Sequence, residues 1–226
     1  MSEIKLCVFD MDGLMLDTER QMWLVHEEIA LNELGYKADM NLLCKQMGGS
    51  WQSYNENMKK WYGEDFPIEK VRKRIGELNK IYIEKGYMPT MKGLIELLDY
   101  LKANNIKMAV GTSTHRDQAI ACLKAAHIYE YFDNIICGDE VTKSKPDPQI
   151  YTKSYEHFGI DKENVLIFED GHNGARSAIA SGARLVLVPD LAFLTDEDKK
   201  EAFAVLNNLA EAIDIIKEEN ERTTSV

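Results

Sequence analysis

Five short apolar runs limit how this chain can fold: residues 5–9, 107–110, 134–137, 165–168 and 185–188. None alternates apolar with polar side chains, so none has a face to turn to water. Runs of this kind suit parallel strands covered on both faces. Helical patterns lie between them. Leu94, Leu97, Leu98 and Leu101 recur at i, i+3, i+4 and i+7. Ala202, Val205, Leu206, Leu209, Ile213 and Ile216 recur in the same way, behind Thr195 and Asp198, which are spaced as a capping box. Strands alternating with helices predict an α/β fold with a doubly wound, Rossmann-like parallel sheet.

One interval breaks the rhythm. The first run ends at Phe9 and the next clear one begins near Ile106. The stretch between is rich in charge and helical spacing, as at Met22, Val25 and Ile29, and holds no strand-like run. The expectation is a core domain of residues 1–17 and 88–226 with a helical cap domain inserted over 18–87. The polar tail 218–226 reads as an end that frays.

Ligands of an open parallel sheet bind beyond the carboxyl ends of its strands, so the residues there matter most. Asp10, Asp12 and Gly13 follow the first run, and Thr112, Ser113 and Thr114 the second. Lys145 lies in the loop after the third, and Glu169, Asp170 and Gly171 follow the fourth. A closed sheet brings four carboxylates, a hydroxyl and an ammonium to one edge. Crowded carboxylates either share protons or hold a cation. A donor set of oxygens alone, without His or Cys, favours a hard ion such as Mg²⁺. With the charge neutralised, one carboxylate can attack phosphorus while a second handles the proton. Lys145, the Thr112 hydroxyl and the amides of Gly13 and Ser113 could take the remaining phosphate oxygens. Each residue also has a plainer reading. Asp-x-Asp can be a solvated turn, Lys145 a surface charge, Thr112 a strand residue, and Glu169-Asp170 the cap of a helix starting near Asn173.

Charge narrows the partners. The chain carries 38 acidic against 27 basic side chains, a net charge of −11, and no run of Lys and Arg. That balance argues against nucleic acid, and an acidic protein that handles phosphate must bring its own cation. Cys7, Cys44, Cys122 and Cys137 are widely spaced and read as buried reduced thiols. The amino-terminal residues do not read as a signal peptide, and no stretch is long enough to span a bilayer. The expectation is a cytoplasmic monomer acting on a small phosphorylated metabolite, without membrane or nucleic acid.

The order of these groups resembles a known family. Phe9-Asp10-Met11-Asp12-Gly13-Leu14-Met15-Leu16-Asp17-Thr18-Glu19 is similar to the first motif of the haloacid-dehalogenase superfamily, in its β-phosphoglucomutase-like branch. Thr112-Ser113 resembles the second motif, Lys145-Pro146-Asp147-Pro148 the third, and Phe168-Glu169-Asp170-Gly171, with Asn173-Gly174, the fourth. The resemblance implies Asp10 as nucleophile and Asp12 as general acid and base. It implies Mg²⁺ held by Asp10, the Asp12 carbonyl, Glu169 and Asp170, and a phosphoryl group bound by Thr112 and Lys145. Asp17 and Thr18 would begin the hinge into the cap.

Departures separate the branches. Mutases of this type place a His in the first cap helix and an Arg in a cap loop, where this chain has Met22 and, after Gly49-Ser50, Trp51. A thioether and an indole replace neither a proton shuttle nor a guanidinium. Hydrolysis is therefore expected ahead of isomerisation, and a non-catalytic protein with the same fold stands further back. Asp12 argues against a dehalogenase or phosphonate hydrolase. Trp51, Tyr54, Trp61 and Tyr62 read as helical core ahead of ring-stacking groups, and His26, His115 and His172 as polar contacts.

Overall fold

A computed structural model describes residues 2–35, 37–46 and 51–224 of the chain. The apolar runs become β1 (Leu6–Phe9), β2 (Lys107–Gly111), β3 (Asn134–Ile136), β4 (Val165–Glu169) and β5 (Arg184–Leu187). They form one parallel sheet in the order β3-β2-β1-β4-β5, which a sixth strand, β6 (Ala204–Val205), extends beyond β5. Leu6 stands level with Lys107 on one side and Val165 on the other, so β1 sits at the centre.

Between β1 and β2 come α1 (Glu19–Asn32), α2 (Met40–Cys44), α3 (Trp51–Tyr62), α4 (Ile68–Glu84) and α5 (Leu94–Ala103). Next, α6 (Arg116–Ala125) leads to β3, α7 (Gln149–Glu156) to β4 and α8 (His172–Ser181) to β5. Then α9 (Asp196–Glu201) leads to β6, and α10 (Ala212–Thr224) follows it.

Every residue of β1 and β4 is buried, as strands without alternation must be. Cys7 and Phe9 face one apolar cluster with Met108, Val110, Phe168 and the four leucines of α5. Leu6 and Val8 face the other, with Ile167, Leu187 and the Ala175 and Ala178 of α8. Each fully buried leucine of α5 contributes about 1.5–3 kcal/mol. The doubly wound α/β sheet is thus as expected.

The helices α1–α4 supply most of a third cluster, with Val25, Ile29, Leu43, Tyr54, Met58 and Val71, which Ala192 of the loop after β5 joins. The chain leaves and regains the sheet at neighbouring points. Leu16 bridges Thr90, the Asp17 amide donates to Pro89 O at 3.0 Å, and the Met91 amide donates to Met15 O at 2.9 Å. The loop after β5 also touches the helices. There Arg20 grips Asp190 at 2.7 and 2.9 Å, and the Phe193 amide donates to Cys44 O at 2.9 Å.

The carboxyl-terminal third departs from expectation. One helix does not run from Ala202 to Ile216. The Phe203 amide donates to Leu185 O at 2.7 Å and the Leu206 amide to Leu187 O at 2.8 Å, so the open edge of β5 draws the segment into the sheet. Asn208 then caps a short turn by accepting from the Ala210 amide at 3.1 Å, and α10 follows. The capping box of Thr195 and Asp198 is present. The frayed tail is also corrected. Residues 218–224 continue α10, where Asn220 Oδ1 accepts from the Ile4 amide at 2.7 Å and Glu219 pairs with Arg184 at 2.8 Å. Cys7, Cys122 and Cys137 are buried free thiols, whereas Cys44 is only partly buried.

His26 is 3% exposed, bonds Tyr54 Oη through Nε2 and lies against Phe66. Burial pulls its pKa down to about 4. The fold therefore keeps the ring neutral, while the unfolded chain takes up a proton near pH 6.5. Stability from the neutral ring is complete above that point and is lost as pH falls towards 4. Urea midpoints of wild type and His26→Gln between pH 7 and 4.5 test this. Wild type is expected to lose up to about 3 kcal/mol that the variant does not lose. Parallel curves would remove His26 as the source.

Candidate active site

The site begins where β1 ends. The Asp10 amide donates to Phe168 O at 3.0 Å, so the β1–β4 pairing runs one residue past the strand and sets Asp10 beside Glu169. Gly13 then turns the chain at φ +87°, with its amide donating to Leu16 O at 2.9 Å. On the other flank, the Thr112 amide donates to Ile136 O at 3.0 Å and so carries that hydroxyl to the same edge.

Lys145 joins the strands. Its ammonium lies 2.5 Å from Asp10 Oδ1 and 2.7 Å from Glu169 Oε1, with all three side chains buried. Tyr151 Oη donates to the same Glu169 oxygen, and the Lys145 ammonium stands 4.8 Å from the centre of the Tyr151 ring. Carboxylate oxygens of Asp10, Glu169 and Asp170 lie within 4.8 Å of one another. Burial pushes the Asp10 carboxyl up to about 8, against the pull of Lys145 and with Glu169 and Asp12 pushing further. Burial also raises Asp170 and Glu19 well above the carboxylate range, and neighbouring carboxylates add to it. Burial would lower Lys145, but Asp10 and Glu169 together hold it above the usual lysine range. The cluster is a sink for positive charge.

Asp12 faces elsewhere. Its Oδ1 accepts from Thr18 Oγ1 at 2.9 Å and its Oδ2 from Thr114 Oγ1 at 2.7 Å, with Thr112 Oγ1 at 3.5 Å. Its side chain is therefore not one of the three that converge as metal donors. Ser113 is half-buried beside Thr112. The structure thus brings Asp10, Lys145, Glu169 and Asp170 into one cluster, with Asp12, Gly13 and Thr112 at its rim.

Four contributors went unassigned in the sequence. Glu19 closes the first motif but had no role assigned to it. Thr114 was visible after Thr112-Ser113. Gly174 stands with the fourth motif without a role, and Tyr151 gave no local sign of reaching Glu169. A Cβ at Gly174 would overlap the Glu169 carboxylate, so only glycine lets α8 pass so close.

The other candidates behave as polar or packing groups. Tyr54, Trp61 and Tyr62 belong to the helical cluster. His172 pairs with Asp198 at 2.6 Å, and His115 precedes α6. Gly49 and Ser50 lie outside the described residues, as do the side chains of Met22 and Trp51. An open groove of about 940 Å³, lined by Gln52, Lys59, Phe66 and Arg72 among others, lies on α3 and α4 and includes none of the strand-end groups. The groove and the buried carboxylates share no residue.

The haloacid dehalogenase-like hydrolase family matches residues 7–188. The chain belongs to this family. The hydrolase is 32% identical to the protein CbbY of Rhodobacter capsulatus over 203 residues, covering 83% of this chain and 86% of that one. It is 29% identical to a phosphorylated carbohydrates phosphatase of Thermotoga maritima, covering 77% and 80%. Among solved structures, it is similar to CbbY of Rhodobacter sphaeroides in complex with phosphate, with a TM-score of 0.73, 25% identity and coverage of 92% and 96%. The expected family and the expected class, a phosphatase of haloacid-dehalogenase type, are both borne out.

Gly174 and Gly76 give the hydrolase an internal comparison. Alanine inside a helix ordinarily stabilises by about 0.5–1 kcal/mol over glycine. Nothing lies within 4 Å of a Cβ at Gly76 in α4, so Gly76→Ala is expected to melt above wild type. Gly174→Ala should melt below it, because the new methyl displaces a buried carboxylate. Thermal unfolding of both variants checks the pair, and a gain at Gly174 would contradict the close approach.

Proposed function

We propose that this hydrolase is a magnesium-dependent phosphatase that cleaves a small phosphate monoester, of the sugar-phosphate or nucleotide type, through a phosphoryl-aspartate on Asp10. The observation that carries the reading is the division of labour among carboxylates. Asp10 is pinned by Lys145 within a buried acidic cluster, while Asp12 stands apart on two threonine hydroxyls.

The donor set fits the ion. It is all oxygen, its members lie within 4.8 Å of one another, and Asp170 Oδ2 is buried without a hydrogen-bond partner. Asp10, Glu169, Asp170 and the Asp12 carbonyl would hold Mg²⁺. A bound Mg²⁺ supplies charge neutralisation for the carboxylates and for the phosphoryl oxygens. An oxygen of Asp10 forms a bond to phosphorus as the bond to the leaving oxygen breaks, and Asp12 delivers the proton to that oxygen. Asp12 then takes a proton from the water that attacks the phosphoryl-aspartate, which releases phosphate and restores Asp10. Lys145, the Thr112 hydroxyl and the amides of Gly13 and Ser113 hold the phosphoryl oxygens.

In this reading, residues 1–17 and 88–226 are the core domain, and 18–87 are a cap domain that closes over the strand ends and excludes water. The apolar cluster built mainly by α1–α4 and the paired crossing at Leu16 and Thr90 support that division. Met22 and Trp51, in place of a mutase's His and Arg, favour hydrolysis over isomerisation. Among the described residues, no helix is long and apolar enough to cross a membrane.

Release of phosphate from p-nitrophenyl phosphate tests the chemistry. Asp10→Asn is expected to abolish turnover, and Asp12→Asn to slow it by at least ~10²-fold, with both proteins folded. Excess EDTA should stop wild type, and Mg²⁺ should restore it. An active Asp10→Asn protein would rule out the covalent route.

A second experiment separates hydrolysis from isomerisation. β-Glucose 1-phosphate with a trace of the bisphosphate should yield inorganic phosphate, if it reacts, without accumulating glucose 6-phosphate. Rapid formation of glucose 6-phosphate would reverse the assignment.

A further inference from the structure

One buried carboxylate beside the strand ends has no task in the chemistry above. Glu19 opens α1, is 5% exposed, and has its Oε2 buried with no hydrogen-bond partner. Asp170 Oδ2 is in the same condition. The two oxygens crowd one point above Gly13, where a Cβ would stand 2.5 Å from Asp170 Oδ2 and 2.9 Å from Glu19 Oε2.

An acid in the first turn of a helix ordinarily serves the free amides and stays in water. Glu19 instead turns inward, against Asp170. Buried carboxylate oxygens without donors are costly, and two near each other repel. Water held by a cation relieves both problems at once, because it donates hydrogen bonds and carries positive charge. Asp10, Glu169 and Asp170 form the cluster of direct donors, and Glu19 is outside it. Mg²⁺ usually keeps several of its waters, which gives a neighbouring carboxylate something to accept from.

We propose that Glu19 is a positioning residue for the divalent ion, accepting hydrogen bonds from ion-bound water beside Asp170 and so tying the first turn of α1 to the metal site. The proposal rests on the metal reading given under the proposed function. Its consequence is that ion occupancy and the placement of the helices that begin at Glu19 are linked.

The test uses Glu19→Gln, which keeps the shape and removes the charge, and Glu19→Asp, which keeps the charge on a shorter arm. Mn²⁺ binding is followed by electron paramagnetic resonance, and thermal unfolding is measured with and without Mg²⁺. Glu19→Gln should bind Mn²⁺ 10–100-fold more weakly, the usual scale for a group that supports metal ligands, and Glu19→Asp should recover part of that loss. Without metal, Glu19→Gln should melt above wild type because a buried repulsion is gone, and Mg²⁺ should raise its melting point less. The Mg²⁺ concentration for half-maximal activity should rise, while kcat at saturating Mg²⁺ changes little.

Mn²⁺ affinity of Glu19→Gln within twofold of wild type would overturn the proposal. So would equal loss of melting temperature with and without Mg²⁺, the mark of a packing role alone. Wild type that fails to bind Mn²⁺ would sink the metal reading itself, a result distinct from normal binding in both proteins.

Discussion

The ammonium of Lys145, buried between Asp10 and Glu169, is the contact on which the rest of the site depends. Without it, the ends of β1 and β4 would set carboxylates side by side in a dry edge. Removing one partner of such a buried pair typically costs about 3–5 kcal/mol, because the other charge is left uncompensated. The third chain segment at this point, the loop between β3 and α7, is therefore held down by charge as well as by covering the sheet. Tyr151, in the first turn of α7, adds a hydroxyl to Glu169 and a ring face to the ammonium, which makes the arrangement a small network rather than a single pair.

The network leaves a net negative charge. Lys145 answers two carboxylates, while Asp170 and Glu19 still hold oxygens without donors. Such a site is stable alone only if protons enter it, and the raised values of Asp10, Asp170 and Glu19 express that demand. A hard cation meets the same demand without protonating the proposed nucleophile. Asp12 escapes the problem because its two oxygens rest on the hydroxyls of Thr18 and Thr114. Thr18 stands just before α1, so the proposed proton-handling group is in contact with the root of the helices.

The sheet was legible because buried parallel strands carry an unmistakable local mark, and the strand-end residues followed from it. Asp10, Asp170, Glu169 and Lys145 sit one or two positions past apolar runs or in the loop behind them, where the topology forces convergence. β6 was not legible. Val205 fits a helical spacing with its neighbours, and only the open edge of β5 makes this segment a strand. Tyr151 was opaque for a related reason, and Gly174 and Glu19, though within the quoted motifs, gave no sign of what they touch. Each acts on a group that is distant in sequence or turned inward from a helix, and no spacing rule records such a meeting. The tail after Glu218 looked polar because Glu219 serves Arg184 and Asn220 serves Ile4 at the far end of the chain.

The crossing at Leu16 and Thr90 has a meaning beyond the site. Because the outgoing and returning chains are bonded neighbours, everything between them is an excursion from a closed point. Closing such an excursion costs little more when it grows, roughly 0.6 kcal/mol for each doubling of length. The insertion can therefore lengthen, shrink or be rebuilt while the sheet ladder keeps its register. On the proposed reading, variation in that excursion is in this way uncoupled from the strand ends assigned to the reaction, and the two can drift over generations at different speeds.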